Sequence, residues 1–131
     1  MKKLTVLVVI MLVAGLFAGC WVLPESKLDY IEADPKEVTL NTKSLTGITE
    51  QLEITAYYSD ETDANVTSNC EYLSSNTEIV TVDDEGLIVA VKVDNPIALK
   101  REATILITYT QHNFWTGRVI RTTEIDVTVE Y

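Results

Sequence analysis

The chain has 131 residues, and its 20 acidic and 10 basic residues give a formal net charge of −10. Residues 1–19 have the pattern of an export signal, and without them 112 residues remain, with 8 basic against 20 acidic groups and a formal charge of −12. That length supports one domain with its own core and not two. So acidic a surface repels phosphate backbones and anionic headgroups, which argues against nucleic acid as a partner and against direct lipid binding through the folded domain.

The amino terminus has the three parts of a secretory signal. Two lysines follow the initiator methionine, residues 4–17 are apolar, and the small residues Ala18 and Gly19 stand before Cys20. A cysteine directly after such a site resembles the lipobox of bacterial lipoproteins, although Phe17 stands where that family most often has leucine. The resemblance implies cleavage before Cys20, diacylation of its thiol, and a mature chain that lipid holds at a membrane.

A second interpretation of this segment stays open. Residues 4–23 carry no charge and form a run of about 20 residues, which is enough to span a bilayer as an uncleaved helix. The two lysines before the run would then remain in the cytoplasm by the positive-inside rule. Under either interpretation the rest of the chain is exported and tethered in the cell envelope, with residues 20–27 as a short tether and residues 28–131 as the folded domain.

Beyond the signal, apolar residues alternate with a period of two, and no helical period is sustained. Alternation is clearest in residues 51–58, 103–110 and 118–130, and Pro35 splits the first strand because proline cannot donate to a sheet ladder. Shorter candidate strands are residues 28–31, 38–40, 66–72, 78–82 and 87–93. About seven short strands with turn signals between them predict an all-β fold, an antiparallel β-sandwich. A parallel sheet is not expected, because no segment reads as a crossover helix.

A series of short motifs follows in order along the predicted domain. Ile-x-x-x-Pro-x-x-Val-x-Leu occupies residues 31–40, Gln-Leu-Glu-Ile-Thr-Ala residues 51–56, Tyr-Leu-Ser-Ser-Asn residues 72–76, Ile-Val-Thr-Val-Asp residues 79–83 and Gly-Leu-Ile-Val-Ala residues 86–90. This order resembles the bacterial immunoglobulin-like domain of group 2, the module of intimin- and invasin-type adhesins. Tyr72 stands in the usual tryptophan position, and the longer loop at residues 94–102 replaces a glycine. The resemblance implies an immunoglobulin-like antiparallel β-sandwich whose motifs carry no catalytic residue.

The sequence offers little for catalysis or for zinc. His112 is the single histidine, so any catalytic triad would have to include it, and a tetrahedral zinc site needs more Cys and His than the chain has. With Cys20 committed to lipid, Cys70 has no partner for an intrachain disulfide. It is either a buried small apolar side chain, which we expect, or a reactive thiol. We expect a protein that is not an enzyme and has no cofactor besides the covalent lipid.

Two acidic turns are weak candidates for calcium. Asp60 and Asp63 fall in one turn and Asp83 and Asp84 in another, and carboxylate-rich loops bind Ca²⁺ where their oxygens converge. Neither turn has the spacing of an EF-hand loop. Because clusters of like charge on an acidic surface are usually just solvated, we expect no metal at either turn.

The segment between the last two predicted strands is the candidate contact surface. Phe114 and Trp115 form its expected tip, flanked by His112 and Arg118. Aromatic and arginine side chains dominate binding hot spots, and loops on a rigid sandwich commonly carry recognition. We expect one of the two rings to pack back onto the sandwich and the other to remain available to a protein or glycan partner.

Together these patterns predict an envelope-anchored lipoprotein whose single domain is a non-catalytic binding or structural module at the cell surface, in adhesion or in protein or glycan recognition. Two alternatives stay open. One is a prophage- or plasmid-encoded lipoprotein that blocks a receptor or channel from the same membrane, and the other is an accessory lipoprotein subunit of a larger envelope complex.

Overall fold

The computed structural model describes residues 26–43, 48–92, 99–114 and 117–131. Cys20 with the predicted signal, and Trp115 of the predicted tip, lie outside these ranges. Within them the chain forms ten strands, one turn of 3₁₀ helix at Thr67–Asn69 and no α-helix. The strands are β1 (Leu28–Asp34), β2 (Glu37–Asn41), β3 (Thr49–Gln51), β4 (Glu53–Tyr58), β5 (Asp63–Asn65), β6 (Cys70–Ser74), β7 (Val80–Val82), β8 (Leu87–Ala90), β9 (Lys100–Asn113) and β10 (Gly117–Glu130). The described residues contain no helix of the length and apolar character that crossing a membrane requires.

The strands form three hydrogen-bonded sheets that pack in two layers around one core. The largest sheet has the order β2-β10-β9-β6, and the smaller ones have the orders β1-β4-β5 and β3-β8-β7. Only Leu52 separates β3 from β4, so the chain joins the two smaller sheets into one layer. Buried side chains from both layers form a single apolar cluster, which makes the domain the all-β sandwich that the alternation predicts.

Alternation also predicts which side chains enter this cluster. Ile125, Val127 and Val129 of β10 are at most 2% exposed, and in the ladder Ile125 lies opposite the buried Ile105 of β9. Side chains opposite each other in a ladder share a face, so β9 and β10 present one continuous apolar surface to the other layer. Each fully buried Ile or Val side chain contributes about 1.5–3 kcal/mol relative to exposure.

The described chain has ten strands where the sequence predicts about seven. β3 and β5 have three residues each, all exposed, so neither carries the alternation that marks a strand. The predicted strand at residues 66–72 is a 3₁₀ turn followed by β6. The cause is Asn65, whose Oδ1 accepts hydrogen bonds from the backbone N–H and the hydroxyl of Thr67 at 3.0 and 2.8 Å. Local bonds of this kind compete with a sheet ladder.

One strand pair is parallel, which corrects the expectation of a purely antiparallel sandwich. β1 ends at Asp34, the chain passes through the cis bond to Pro35, and β2 then pairs in parallel with residues 126–130 of β10. Parallel strands need a long connection. Here nearly the whole domain is that connection, so no crossover helix is required. In the described chain, residues 117–125 of β10 pair with β9 alone.

Gly86 lies in the turn between β7 and β8 at a position that only glycine fits. Its φ is +78°, and a Cβ there would be 3.0 Å from the Tyr72 hydroxyl oxygen and 3.1 Å from Cγ2 of Thr67. The Tyr72 hydroxyl donates a 2.7 Å hydrogen bond to the Thr67 carbonyl, and the Gly86 carbonyl accepts one from the Leu52 N–H at 2.9 Å. The close approach of this turn therefore ties β6, the 3₁₀ turn and the start of β4 together.

We expect Gly86→Ala to lower the free energy of unfolding by about 2–3 kcal/mol, because the left-handed φ disfavours an L side chain and the new Cβ displaces Tyr72 and Thr67. Gly117→Ala is the matched control. Gly117 has the same φ, but nothing lies within 4 Å of where its Cβ would be, so a loss of about 1 kcal/mol is expected. Urea unfolding measures both, and equal losses would contradict the packing argument.

Candidate functional site

The predicted tip residues lie at the end of the β9–β10 hairpin. His112 and Arg118 stand directly opposite each other in the ladder, and both are exposed. Phe114 follows β9 and is 87% exposed, more than any other large apolar side chain in the described chain. The sequence predicts that one of the two rings packs back onto the sandwich. Phe114 is largely exposed to solvent, and Trp115 lies outside the described residues. The structure thus brings His112, Phe114 and Arg118 together at one hairpin end.

The same hairpin holds the beginning of β1. The side-chain Nε2 of Gln111 donates to the Ser26 carbonyl at 2.9 Å, and its Oε1 accepts from the Leu28 N–H at 2.7 Å. Nε of Arg121 donates to the Asp29 carbonyl at 2.5 Å. Each such bond contributes about 0.5–1.5 kcal/mol net. We call these three bonds the hairpin clamp, and they place the tip and the start of the folded domain at the same end of the sandwich.

A further link at this end joins Lys27 to the end of β4. The Lys27 N–H donates to Oγ of Ser59 at 3.1 Å, and the Ser59 N–H donates back to the Lys27 carbonyl at 2.9 Å. The N–H and the carbonyl of Lys27 are therefore both hydrogen-bonded to Ser59, which joins the start of the domain to the end of β4. The turn that contains Asp60 follows Ser59 directly, so this acidic turn lies at the same end of the sandwich as the hairpin tip.

The first pair of weak calcium candidates has a structural role in that turn. Oδ1 of Asp60 accepts hydrogen bonds from the hydroxyl and the backbone N–H of Thr62, and these bonds lower the pKa of the Asp60 carboxyl below its usual value. Asp63 is exposed at the start of β5. The Asp60 carboxylate is thus engaged inside the turn.

The second pair is arranged in the same way. Oδ1 of Asp83 accepts from the backbone N–H groups of Glu85 and Leu87, both at 2.9 Å, and Asp84 is exposed in the turn. Side chains of Asp that bond two residues ahead are a standard way to build a tight turn. Across the described ranges, no three Cys, His, Asp or Glu side chains lie close enough to hold a metal ion.

Cys70 is buried in the sandwich, as expected, with 7% of its surface exposed. Burial raises the pKa of its thiol from 9.0 to about 11, so the group is protonated at neutral pH. Burial likewise raises the pKa of the Tyr72 hydroxyl. Because the thiolate is the reactive form of cysteine, Cys70 in the folded protein is an apolar core residue and not a nucleophile.

A polar depression of about 360 Å³ lies on the outer face of the four-stranded sheet, and Glu37, Glu102 and Asp126 line it. Lys100 pairs with Glu102 at 3.2 Å, and the Thr104 hydroxyl donates to Asp126 at 3.3 Å. Small-molecule sites are mostly apolar, with a few polar groups that converge. This depression has the opposite character, so the hairpin end is the better candidate for a functional surface.

The sequence does not indicate that Gln111 and Arg121 form the hairpin clamp. Gln111 follows Ala103, Ile105, Ile107 and Tyr109 at two-residue spacing, and Arg121 likewise falls in phase with Ile125 and Val127. Both are therefore polar residues at positions that face inward. A long polar side chain at an inward-facing position near a strand end indicates that it hydrogen-bonds within the fold, but the sequence does not show with which residue.

No protein-family model matches the chain, and no curated protein matches it either. Its function is therefore inferred from its own residues.

We expect the stability of the domain to fall as the pH rises from 9 to 11. The folded-state pKa of Cys70 is raised, so the folded state holds its proton more tightly, and the stability this provides is present below pH 9 and lost as the pH rises through about 11. Urea midpoints across this range should fall less steeply for Cys70→Ala than for the wild type. Part of the slope should remain, because burial also raises the pKa of Tyr58 to about 12. Identical slopes for the two proteins would contradict the assignment to Cys70.

Proposed function

We propose that this protein is an envelope lipoprotein, anchored through Cys20, whose single immunoglobulin-like sandwich is a non-catalytic binding or structural module. The observation that carries the proposal is the β9–β10 hairpin end. It combines a strongly exposed Phe114 with His112 and Arg118 on a rigid two-stranded support, which is the composition and setting of a recognition surface.

The positions of the two best nucleophile and base candidates support a non-catalytic role. His112 is exposed near the hairpin tip, whereas Cys70 is buried and protonated in the core. A nucleophile and its base have to lie within hydrogen-bonding reach of each other. Because Cys70 is buried, Cys20 is the cysteine that we propose to be chemically modified.

The two-layer sandwich supports the immunoglobulin-like assignment together with the motif order. Tyr72, in the position that the resembled family gives to tryptophan, packs against the core and its hydroxyl closes the 3₁₀ turn at Thr67. An amphipathic ring in that position therefore fills the apolar site and satisfies a backbone carbonyl at once.

The anchor is tested by metabolic labelling of the expressed full chain with palmitate. We expect the wild type to incorporate label and to stay with the membrane fraction, and Cys20→Ser to lose the label, because the thiol of Cys20 is the acceptor. Cys70→Ser is the control and should keep the label, since Cys70 is buried in the folded domain. Label that survives Cys20→Ser would overturn the lipid anchor.

The contact surface is tested by placing a photo-crosslinking residue at Phe114 or at Leu99 in envelopes. Leu99 is 74% exposed and precedes the opposite end of β9, so it matches Phe114 in exposure but not in position. We expect adducts with envelope components at position 114 in clear excess over position 99. Equal or absent adducts at both positions would favour a passive spacer over a contact module.

A further inference from the structure

Acidic side chains are missing from the distal part of the hairpin. From Ala103 to Thr123 the sequence has no Asp or Glu, although the whole chain has 20, and it is the longest acid-free stretch after residue 24. The same stretch contains Arg118, Arg121 and His112. The domain is therefore strongly negative as a whole but has only cationic charges along this part of the hairpin, so the expectation that it repels anionic headgroups holds for its average surface and not for this segment.

The exposed side chains at this end combine apolar and cationic groups. Phe114 is 87% exposed, and Ile120, two residues after Arg118 and on the same face of β10, is 41% exposed. Arg118 and His112 lie opposite each other between Ile120 and the end of the hairpin, where Phe114 stands. An aromatic ring and an aliphatic side chain beside arginine is the composition of surfaces that rest in the headgroup region of a bilayer.

The hairpin clamp fixes where the tether meets the domain relative to this end. Gln111 binds the Ser26 carbonyl and the Leu28 N–H, and the β9 ladder continues beyond Gln111 to Asn113. At about 3.4 Å per residue, the hairpin end projects roughly 7–10 Å past the point where the chain enters the fold. Asp29 and Asp60 lie at the same end of the sandwich, next to the bonds of Arg121 and Ser59, and the hairpin continues two residues beyond Gln111.

The length of chain before the clamp limits how far this end can be from an anchor at Cys20. Ser26 follows Cys20 by six positions, and a fully extended chain of six residue steps spans at most about 20 Å. A tethered group confined to such a distance experiences its target at an effective concentration of order millimolar, so a weak surface affinity is sufficient for contact.

We propose that the hairpin end is a second membrane contact, in which Phe114, Ile120 and Arg118 bind the anionic headgroup layer of the membrane that holds Cys20. The proposal rests on the lipid anchor argued above and names the partner of its contact surface. Attraction at the hairpin and repulsion of the acidic remainder act in the same direction. The domain therefore stands on the membrane with its hairpin end down and its acidic surface outward.

The test uses the purified full chain with its native lipid, reconstituted into vesicles of phosphatidylcholine with or without phosphatidylglycerol. A thiol-reactive fluorophore is attached at His112→Cys or, as the position control, at Leu99→Cys, and a spin-labelled lipid is the quencher. Cys70 is buried and does not compete for the dye while the protein is folded. The two dye positions are thirteen residues apart along β9, about 44 Å at 3.4 Å per residue, so quenching reports which end faces the bilayer.

We expect several-fold stronger quenching at position 112 than at position 99 on vesicles with phosphatidylglycerol, and loss of most of that difference at high salt, which screens the headgroups. Arg118→Gln should lower the ratio of docked to undocked protein about fivefold, and Phe114→Ala about fivefold to tenfold. Lys36→Gln and Leu73→Ala are matched controls for charge and exposed apolar area, and both should leave the ratio unchanged. Lys36 follows the far end of β1, and Leu73 lies on β6 and is 64% exposed.

The two proposals fail in different ways. Protein that is released from the vesicles, or a dye on Cys20 detected by mass spectrometry, means that the anchor is wrong. Protein that stays on the vesicles but shows equal quenching at positions 112 and 99 overturns the membrane contact alone. If such unquenched protein forms protein adducts through position 114 in envelopes, the hairpin end binds a protein and not the bilayer. Circular dichroism of each variant confirms that it is folded.

Discussion

The ladder between β9 and β10 is the interaction on which the rest of the structure depends. Its inward face supplies Ile105, Ile107, Ile125 and Val127 to the core, and its two outer edges carry β2 and β6. Its distal part reaches past the sandwich and clamps the start of β1 through Gln111 and Arg121. One hairpin thus supplies six of the 21 described residues of the buried cluster, forms the centre of the largest sheet and holds the chain where β1 begins. Loss of its register would affect all three, because a slip of one residue reverses every side chain.

The sequence predicts those strands that have one buried face, because burial on one face makes apolar and polar residues alternate. β4, β9 and β10 alternate because one of their faces is dry, and Pro35 marks the change of sheet. β3 and β5 were not predictable, since short exposed edge strands have no apolar face to leave a pattern. The parallel partner of β10 was not predictable either, because Val38 and Leu40 alternate in the same way beside a parallel or an antiparallel neighbour. The alternation of apolar and polar residues indicates which face of a strand is buried, but not which strand is its neighbour.

The sequence predicts that the candidate site lies at a hairpin end, but not which residues that end is hydrogen-bonded to. Turn residues between two alternating segments indicate a hairpin end, and His112 and Arg118 do lie opposite each other there. The bonds that join this end to residues 26–29 span more than 80 positions, and no local pattern records such a pairing. A cluster of like charge is similarly ambiguous in sequence: Asp60 and Asp83 resemble ion ligands, but each closes its own turn. The clamp shows that the exposed Phe114 lies at the end of the sandwich where the folded domain begins, which the sequence alone does not indicate.

The half-paired state of β10 has a consequence for molecules held at high density on one surface. Residues 117–125 have no second strand partner in the described chain, and an open strand edge is a template on which another copy can add a strand. Tethering to a plane concentrates copies side by side and favours that encounter. Arg118, Arg121 and Glu124 lie on this edge, and an antiparallel pairing of two such edges about Arg121 would place Arg118 of each copy opposite Glu124 of the other. Strand addition of this kind would be confined to residues 117–125, because β2 already covers the rest of β10.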